Sequence, residues 1–316
     1  MIKPMRAADW DRKKVKFPVI KQPKIDGVRG VNINNVMSAR SLKPFGNKHT
    51  NLFFSQNVFR GFDGELAAEA ATHPRLVSLT SSATSTHEGT PWLMWHIFDY
   101  VTSETIALPY IARLMMSADR IHKLESDVPH IAHHLTPIPW KVLRNMNEVD
   151  EEIAADIDAG YEGTILRAHD GKYKEGYSSP TQGGLVRIKP FMRVDAIVVK
   201  IYEGQRNENE AQENELGHTF RSTHKENMVP NGMVGAMDAV LCEDVVFNGK
   251  VLHKAGDMMR VSAGRMTHAE RALYFASPNL LMSKRIQVQI FPIGIKDKPR
   301  MPTFQSFRTL EDTVEK

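Results

Sequence analysis

Short segments with alternating hydrophobic and polar positions dominate the first part of the chain. Val19 and Ile20 precede a Lys-Ile-Asp-Gly turn, and Val31 and Ile33 alternate after it. This pattern predicts a strand, a turn and a second strand. Further strands are predicted within residues 61–69, 91–101, 161–169 and 185–191.

The first part of the chain also contains a turn signal and a segment without a regular pattern. In the segment 61–69, Asp63-Gly64 is a turn signal, and we expect a turn there directly before a short strand. Residues 36–60 are polar and lack a clear period, which predicts irregular structure.

Two helices are predicted between these strands. Leu114, Ala118 and Ile121 follow Pro109 at helical spacing, and they mark one buried face. A second helix is predicted from about Asn147, where apolar residues recur every four positions and Gly160 supplies a C-terminal cap.

The pattern of hydrophobic and polar residues changes after residue 190. The segment 195–202 is a strong strand candidate, and 204–227 is long, polar and nearly free of apolar residues, which predicts a surface excursion. Three more strands follow, with a hairpin signal at Asn248-Gly249 and a helix-opening capping box at 267–270. Several strands with one helix near the end of such a segment favour a small Greek-key barrel such as an OB-fold.

The predicted organisation is therefore two domains, residues 1–191 and residues 192–316. The fold class is α+β, with antiparallel sheets and helices in the first domain and a β-barrel in the second.

Charge and cysteine content narrow the possible functions. Lys and Arg number 41 against 37 Asp and Glu, so the net charge is +4, and a polyanionic partner is only weakly favoured. Cys242 is the single cysteine, which excludes an intrachain disulfide and a four-cysteine zinc site. No stretch approaches the roughly 20 apolar residues that span a bilayer, and the start does not have a signal-peptide pattern. We expect a cytoplasmic protein that does not bind membranes.

The sequence Lys24 to Gly30, KIDGVRG, is the main candidate for chemistry. A lysine nucleophile that attacks a nucleotide phosphate needs a lowered pKa, which neighbouring cations and a metal provide. A triphosphate also needs cations around it and carboxylates to hold the metal.

Small polar clusters that could meet these needs stand at the ends of the predicted strands. Arg187 and Lys189 alternate on one strand face, since positions i and i+2 of a strand point the same way. The other candidates are Arg29, Arg40, Glu65, Phe98, Asp99 and Glu162.

The ordered motifs KIDGVR, SARS, FDGEL, FDY, EGTILR and RIKP resemble those of the covalent nucleotidyltransferase superfamily. That superfamily comprises ATP-dependent DNA ligases, RNA ligases and messenger-RNA capping enzymes. The segments RSTHKEN, NGMVGAM and RMPTFQSFR are similar to the small two-domain ATP-dependent DNA ligases of bacteriophages. The resemblance covers about residues 17–308. It implies an ATP-grasp-like nucleotidyltransferase domain followed by an OB-fold.

The resemblance also implies a role for each matched residue. Lys24 carries AMP in a phosphoramide bond, and Arg187 and Lys189 contact the α-phosphate. The remaining roles are ribose contacts for Arg29 and Glu65, a 5′-phosphate contact for Arg40, adenine stacking for Phe98, metal binding for Glu65 and Glu162, and orientation of pyrophosphate for Arg300.

Two positions depart from the family pattern. Gln22 stands where the family often has glutamate, although its amide can still accept a hydrogen bond from the adenine amino group. Arg187 replaces a lysine, which keeps the charge but changes the geometry.

The activity implied is ATP-dependent sealing of nicked double-stranded DNA by a monomer, with ATP as the AMP donor and Mg²⁺ as the metal. For a phage-encoded enzyme the setting is the cytoplasm of an infected bacterial cell.

An RNA ligase and a capping enzyme that uses GTP share the same core residues, so both stay open as alternatives. A non-catalytic nucleic-acid-binding OB-fold protein is a third alternative, but it leaves the clusters of the first domain without a role. An NAD-dependent ligase is disfavoured, because those enzymes carry an additional N-terminal domain and a cysteine zinc site.

Overall fold

The computed structural model describes residues 2–179, 181, 184–213, 219–222, 225–247, 249–292 and 299–308. The chain divides into two compact units, Met1–Pro190 and Phe191–Lys316. No helix in the described ranges is both long enough and apolar enough to cross a membrane.

The first unit contains twelve strands and five helices within its described residues. The strands are β1 Met5–Arg6, β2 Ala8–Asp9, β3 Val19–Lys24, β4 Val28–Val31, β5 Ser38–Ala39, β6 Phe62–Ala67, β7 Met94–Tyr100, β8 Leu135–Pro137, β9 Lys141–Leu143, β10 Gly163–Ala168, β11 Gly176–Tyr177 and β12 Val186–Ile188. The helices are α1 Lys48–Phe54, α2 Leu76–Ser85, α3 Tyr110–Asp127, α4 Pro129–Ala132 and α5 Met146–Asp158.

These strands form two five-stranded sheets, and a short turn joins them at the Lys24 motif. One sheet has the order β2-β12-β10-β3-β9 and the other β5-β4-β6-β7-β8. Pairing is antiparallel except at the edges, where β2 and β8 each run parallel to their neighbour. Strand β3 ends at Lys24 in one sheet and β4 begins at Val28 in the other. The turn therefore holds the lysine at the point where the chain passes between sheets.

Helices pack against both sheets: α2 and α3 contact the sheet of β4, β6, β7 and β8, and α5 contacts β3, β9 and β10. Helix α3 buries Leu114 and Ile121 as predicted, and Leu124 extends the same face. Helix α5 starts after Asn145, whose side chain accepts a hydrogen bond from the Glu148 amide, and Gly160 follows its end in a left-handed conformation.

Two predictions for the first unit are wrong. Asp63 and Gly64 lie inside strand β6 and not in a turn. A β-carbon on Gly64 would come within 2.4 Å of the His96 carbonyl oxygen, so this glycine permits close packing of strands. Residues 36–60 are also not wholly irregular, because they contain α1, whose Phe54 is buried together with Phe59.

The second unit is built around a closed five-stranded barrel. Its strands are β13 Met192–Asn207, β14 Ala211–Glu213, β15 Thr219–Arg221, β16 Met228–Leu241, β17 Val245–Phe247, β18 Lys250–His253, β19 Met258–Ser262, β20 Arg285–Phe291 and β21 Arg300–Phe307, with helix α6 at His268–Ala276. The barrel order is β13-β16-β19-β21-β20. Alternate residues of β19 and β20 point into one apolar core, as expected for a small barrel.

The sequence signals of the second unit have mixed outcomes. The capping box is present, since Thr267 and Glu270 each accept a hydrogen bond from the other's backbone amide. The polar segment 204–227 is not all excursion, because β13 continues to Asn207 and β14 pairs with β15. Asn248 lies outside the described residues, and strands β17 and β18 pair on either side of it.

A buried ionic network fixes the end of β7 in the first unit. Asp99 is fully buried and accepts hydrogen bonds from Arg113 Nε at 2.8 Å and Arg167 Nη1 at 2.5 Å. Burial alone would raise the pKa of Asp99, but the charges and hydrogen bonds of both arginines outweigh it and hold the pKa below its usual value. Two desolvated guanidinium groups therefore depend on this carboxylate.

The substitution Asp99→Asn should destabilise the protein by about 3–5 kcal/mol, because it leaves buried cations without compensation. Urea denaturation measures the free energy of unfolding. The matched control is Asp150→Asn, because Asp150 pairs with Arg12 at an exposed site, where a loss below about 1 kcal/mol is expected. Similar small losses for both variants would contradict this account of the network.

Candidate active site

A cavity of about 540 Å³ lies in the first unit between its two sheets. Its wall is strongly basic, with the cations Arg6, Lys24, Arg29, Arg40, Arg167, Arg187 and Lys189. Gln22, Asp26, Glu65, Phe98 and Tyr177 line the same space. An anion with a planar ring attached would find both charge and an aromatic surface here.

Lys24 and Lys189 share one carboxylate, that of Glu162. Each ammonium group donates to a different oxygen of Glu162, whose side chain is only 4% exposed. Burial would raise the pKa of Glu162, but the charges of Lys24 and Lys189 outweigh it and lower the pKa to about 2. The carboxylate therefore stays charged and holds both lysines at the cavity.

The backbone around this group explains two glycines of the motifs. A β-carbon on Gly27 would come within 2.1 Å of the Leu66 carbonyl oxygen, and one on Gly163 would come equally close to that of Ile188. Only glycine allows these approaches. They bring the strand that carries Glu65 against the Lys24 turn, and the start of β10, directly after Glu162, against the Lys189 segment.

Arg29 is anchored in the cavity wall by Asp63. Its Nε and Nη2 donate to the two carboxylate oxygens at 2.9 and 2.6 Å, and Nη1 donates to the Met5 carbonyl. Burial opposes the charge of Arg29, but Asp63 more than offsets this and raises the guanidinium pKa. Because Asp63 is fully buried, the bidentate pair fixes the orientation of Arg29.

Glu65 lies opposite Arg29 in the pairing of β4 with β6. Its side chain has no hydrogen bond or ion pair with any other residue that the structure describes. The pKa of Glu65 is raised to about 7; burial is the main cause, and the nearby cations Lys24 and Arg29 only partly offset it. This carboxylate therefore lacks a compensating cation of its own.

The raised pKa of Glu65 predicts a pH-dependent contribution to stability. The folded protein binds this proton more tightly than the unfolded chain, whose value is 4.5. The contribution is thus fully present below pH 4.5 and is lost as the pH rises through about 7. We expect the free energy of unfolding of Glu65→Gln, relative to that of wild type, to rise by roughly 1–3 kcal/mol between pH 5 and pH 8.

Urea denaturation without nucleotide or divalent metal measures this difference. Glu69→Gln is the control, because Glu69 is exposed, and its difference from wild type should not vary with pH. A Glu65→Gln difference that is equally constant would contradict the account.

Arg187 points to the cavity from β12 but is paired with a residue near the chain start. Its Nε donates to Asp9 at 2.7 Å, and β2 and β12 run side by side. Arg40 also lines the cavity, and it is exposed. Arg40 has no carboxylate partner among the described residues, so its charge is available to a ligand.

Sequence reasoning missed Arg6 and Tyr177. Strand β1 pairs with β11, and this places the Arg6 guanidinium 4.0 Å from the centroid of the Tyr177 ring. Like Arg40, Arg6 has no acidic partner in the described part of the chain. No local signal could have found this residue, since it depends on pairing across 170 residues of sequence.

The Phe98 ring lies in the cavity wall, near two cations. The guanidinium carbons of Arg29 and Arg167 are 5.3 and 5.2 Å from its centroid. Gln22 is 2% exposed and lies two residues before Lys24 on the same strand face. Its side-chain amide meets Tyr110 of α3, another residue that sequence reasoning missed.

Comparison with known proteins finds DNA ligases by sequence and by structure, although no family model matches the chain. A DNA ligase of African swine fever virus, strain Badajoz 1971 Vero-adapted, is 26% identical over 159 residues. That match covers 50% of this chain and 35% of the viral protein. The chain thus spans only about a third of the length of the curated relatives it matches.

Two structural likenesses extend over almost the whole chain. The Chlorella virus DNA ligase-adenylate has a TM-score of 0.52 at 22% identity, covering 97% of this chain and 99% of that one. A structure from a study of Lig E DNA ligases has a TM-score of 0.67 at 18% identity, covering 98% and 100%. This chain has the DNA ligase fold. The predicted fold class, a nucleotidyltransferase domain followed by an OB-fold barrel, is confirmed.

Within this ligase fold, the cavity brings together eight of the predicted site residues: Gln22, Lys24, Arg29, Arg40, Glu65, Phe98, Arg187 and Lys189. Glu162 reaches the same site through its contacts with the two lysines. Arg300 begins β21 in the second unit, and its role stays a prediction.

Proposed function

We propose that this protein is an ATP-dependent DNA ligase that seals nicks in duplex DNA. The observation that carries the proposal is the pair of lysines, Lys24 and Lys189, held by one buried carboxylate at a basic cavity with an aromatic wall. A lysine in this setting suits nucleophilic attack on a nucleotide phosphate. The likeness to DNA ligases supports DNA as the substrate.

In the first step, the Lys24 nitrogen bonds to the α-phosphorus of ATP and pyrophosphate leaves. Lys24 must first lose its proton and leave the ion pair with Glu162. The incoming triphosphate competes with Glu162 for both ammonium groups, so that Lys189 can remain on the α-phosphate. Such positioning and charge neutralisation supply most of the catalysis in phosphoryl-type transfers.

In the second step, an oxygen of the 5′-phosphate at the nick attacks the same phosphorus, and the bond to Lys24 breaks. In the third step, the 3′-hydroxyl attacks the activated 5′-phosphate and AMP leaves. Arg40 and Arg6, which have no carboxylate partner in the described residues, are suited to hold the 5′-phosphate. Arg187 can join them once it separates from Asp9.

Glu65 and Glu162 are the residues that would hold Mg²⁺. The Glu65 side chain has no hydrogen-bond or ion-pair partner among the described residues and lines a basic cavity of about 540 Å³, which fits a cation that arrives with the triphosphate. No group of three His, Cys, Asp or Glu ligands occurs among the described residues, so phosphates and water would complete the coordination. When bound, the metal neutralises negative charge on the phosphates.

Sealing of a nicked duplex tests the proposed function. A labelled nicked DNA should be joined with ATP and Mg²⁺ and not with NAD. Parallel reactions with GTP and with a nicked RNA duplex distinguish a capping-type enzyme and an RNA ligase. Joining of RNA alone, or covalent labelling by GTP alone, would replace the proposal; the absence of any joining would reject it.

The polar segment 204–227 is proposed to contribute to duplex binding, because its basic residues can contact phosphates without reading sequence. Its described parts include the antiparallel strands β14 and β15. Replacing residues 208–226 with a short Gly-Ser linker should weaken nick affinity about tenfold or more at moderate salt. Gel-shift titration measures this, with covalent labelling by ATP as the control for an intact first unit. Unchanged nick affinity would contradict the proposal.

A further inference from the structure

The cavity wall contains a cation that stacks on an exposed aromatic ring. The guanidinium carbon of Arg6 lies 4.0 Å from the centroid of the Tyr177 ring, and both residues line the cavity. The Arg6 side chain has no hydrogen bond or ion pair with any residue that the structure describes. The ring therefore restricts the orientation of the guanidinium, while its N–H groups stay available to a ligand.

The backbone that carries this pair is ordered on both sides. In the pairing of β1 with β11, Arg6 is the register partner of Tyr177, and the Ser178 amide donates to the Arg6 carbonyl at 2.8 Å. The Met5 amide donates to the buried Tyr173 hydroxyl, also at 2.8 Å. Because these contacts already order the segment, little further entropy is lost when Arg6 meets a ligand.

Exposure separates this pair from the cations deeper in the cavity. The side chains of Lys24 and Lys189 are 20% and 29% exposed, and Glu162 holds both. Tyr177 is 61% exposed, and Arg40 is exposed as well, so these two lining residues belong to the open rim. A mononucleotide can pass the rim, but a duplex is too wide to enter a cavity of about 540 Å³. A strand end of DNA therefore meets the rim.

The chemistry of the pair fits a phosphate group on that strand end. A guanidinium can form two parallel N–H···O bonds with a phosphate, and no carboxylate among the described residues competes for Arg6. A cation stacked on a ring is also held more strongly once water is excluded, as it is under a bound duplex. Arg6 lies before residue 17, where the family resemblance begins, so that resemblance assigns it no role.

We propose that Tyr177 is a positioning residue that holds Arg6 on the 5′-phosphate of the nick, and that the pair serves the two steps on DNA and not the step with ATP. In the first of these steps, an oxygen of the 5′-phosphate bonds to the AMP phosphorus as the bond to Lys24 breaks. In the second, the 3′-hydroxyl attacks the 5′-phosphate and AMP leaves. The inference rests on the proposed ligase function.

Separate rates for the three steps test this, measured on the full chain at saturating nicked DNA. Arg6→Ala should form the AMP adduct at nearly the wild-type rate. It should transfer AMP to the nick, and close a nick that already carries AMP, about tenfold or more slowly. Tyr177→Ala should show the same division between steps. Lys3→Ala is the matched control, because Lys3 is an exposed cation of the same segment that does not line the cavity.

Two further variants separate positioning from simple loss of structure. Tyr177→Phe keeps the ring and should recover most of the rate lost in Tyr177→Ala. A double variant with alanine at both positions should lose no more than Arg6→Ala alone. Additive losses in the double variant would overturn the inference, as would wild-type transfer and closure in Arg6→Ala or an equal slowing of all three steps. A wild type that forms no adduct with ATP would instead reject the proposed ligase function, and the inference with it.

Discussion

Replacing Lys24 with alanine is expected to abolish covalent labelling of the protein by α-labelled ATP and to reduce sealing of an ordinary nick by at least about 10³-fold. The reason is that Lys24 supplies the amine that bonds to AMP, while Lys189, the other lysine that lines the described cavity, is held by the other oxygen of Glu162. Lys24→Arg should be equally unlabelled, because a guanidinium keeps the charge but is not a nucleophile.

The Lys24 prediction can be separated from misfolding in two ways. A nick whose 5′-phosphate already carries AMP needs only the last step, so Lys24→Ala should join it far better than it joins an ordinary nick. Lys141→Ala is the matched control, since Lys141 is an exposed lysine of the same unit that pairs with Glu152. Labelling that survives in Lys24→Ala would reject Lys24 as the nucleophile.

Glu162→Gln is expected to slow formation of the AMP adduct about 10²–10³-fold. The neutral amide leaves Lys24 and Lys189 without their shared counter-charge, and removing one member of a buried charged cluster commonly costs about 2–5 kcal/mol. The two ammonium groups then repel each other and move apart, so the nucleophile is no longer held at the cavity. Single-turnover labelling with ATP measures the rate.

The chain offers a close control for Glu162. Glu152 also bridges two lysines, Lys21 at 3.0 Å and Lys141 at 2.6 Å, but it does not line the cavity. Glu152→Gln should therefore label at nearly the wild-type rate. Glu162→Asp, which keeps the charge on a shorter side chain, should recover part of the activity. Equal rates for Glu162→Gln and wild type would show that the shared carboxylate has no part in the reaction.

Much of the site is predictable because its residues belong to strands with clear local patterns. Lys24 and Gln22 lie two apart on β3, and Arg187 and Lys189 lie two apart at the end of β12, so period-two alternation places each pair on one face. The glycines of the motifs also carry real constraints, since side chains at Gly27 and Gly163 would collide with neighbouring carbonyl groups.

The rest depends on contacts that local sequence does not encode. Arg6 reaches the cavity because β1 pairs with β11 near residue 176. Asp9 reaches Arg187 in the cavity wall because β2 pairs with β12 near residue 186. Tyr110 is the first residue of helix α3, and its hydrogen bond to Gln22 spans 88 positions of the sequence. The Asp63-Gly64 pair has the composition of a turn, yet β7 packs so closely there that only glycine fits inside the strand.

The most direct test of the central claim is the site of covalent AMP on the purified protein. After incubation with ATP and Mg²⁺ and no DNA, intact-mass analysis should show one added AMP, and peptide mapping should locate it on the nitrogen of Lys24. Addition of nicked duplex DNA should then remove the AMP from the protein as the nick is joined. An AMP on another residue, or no adduct in a folded protein that binds ATP, would contradict the account.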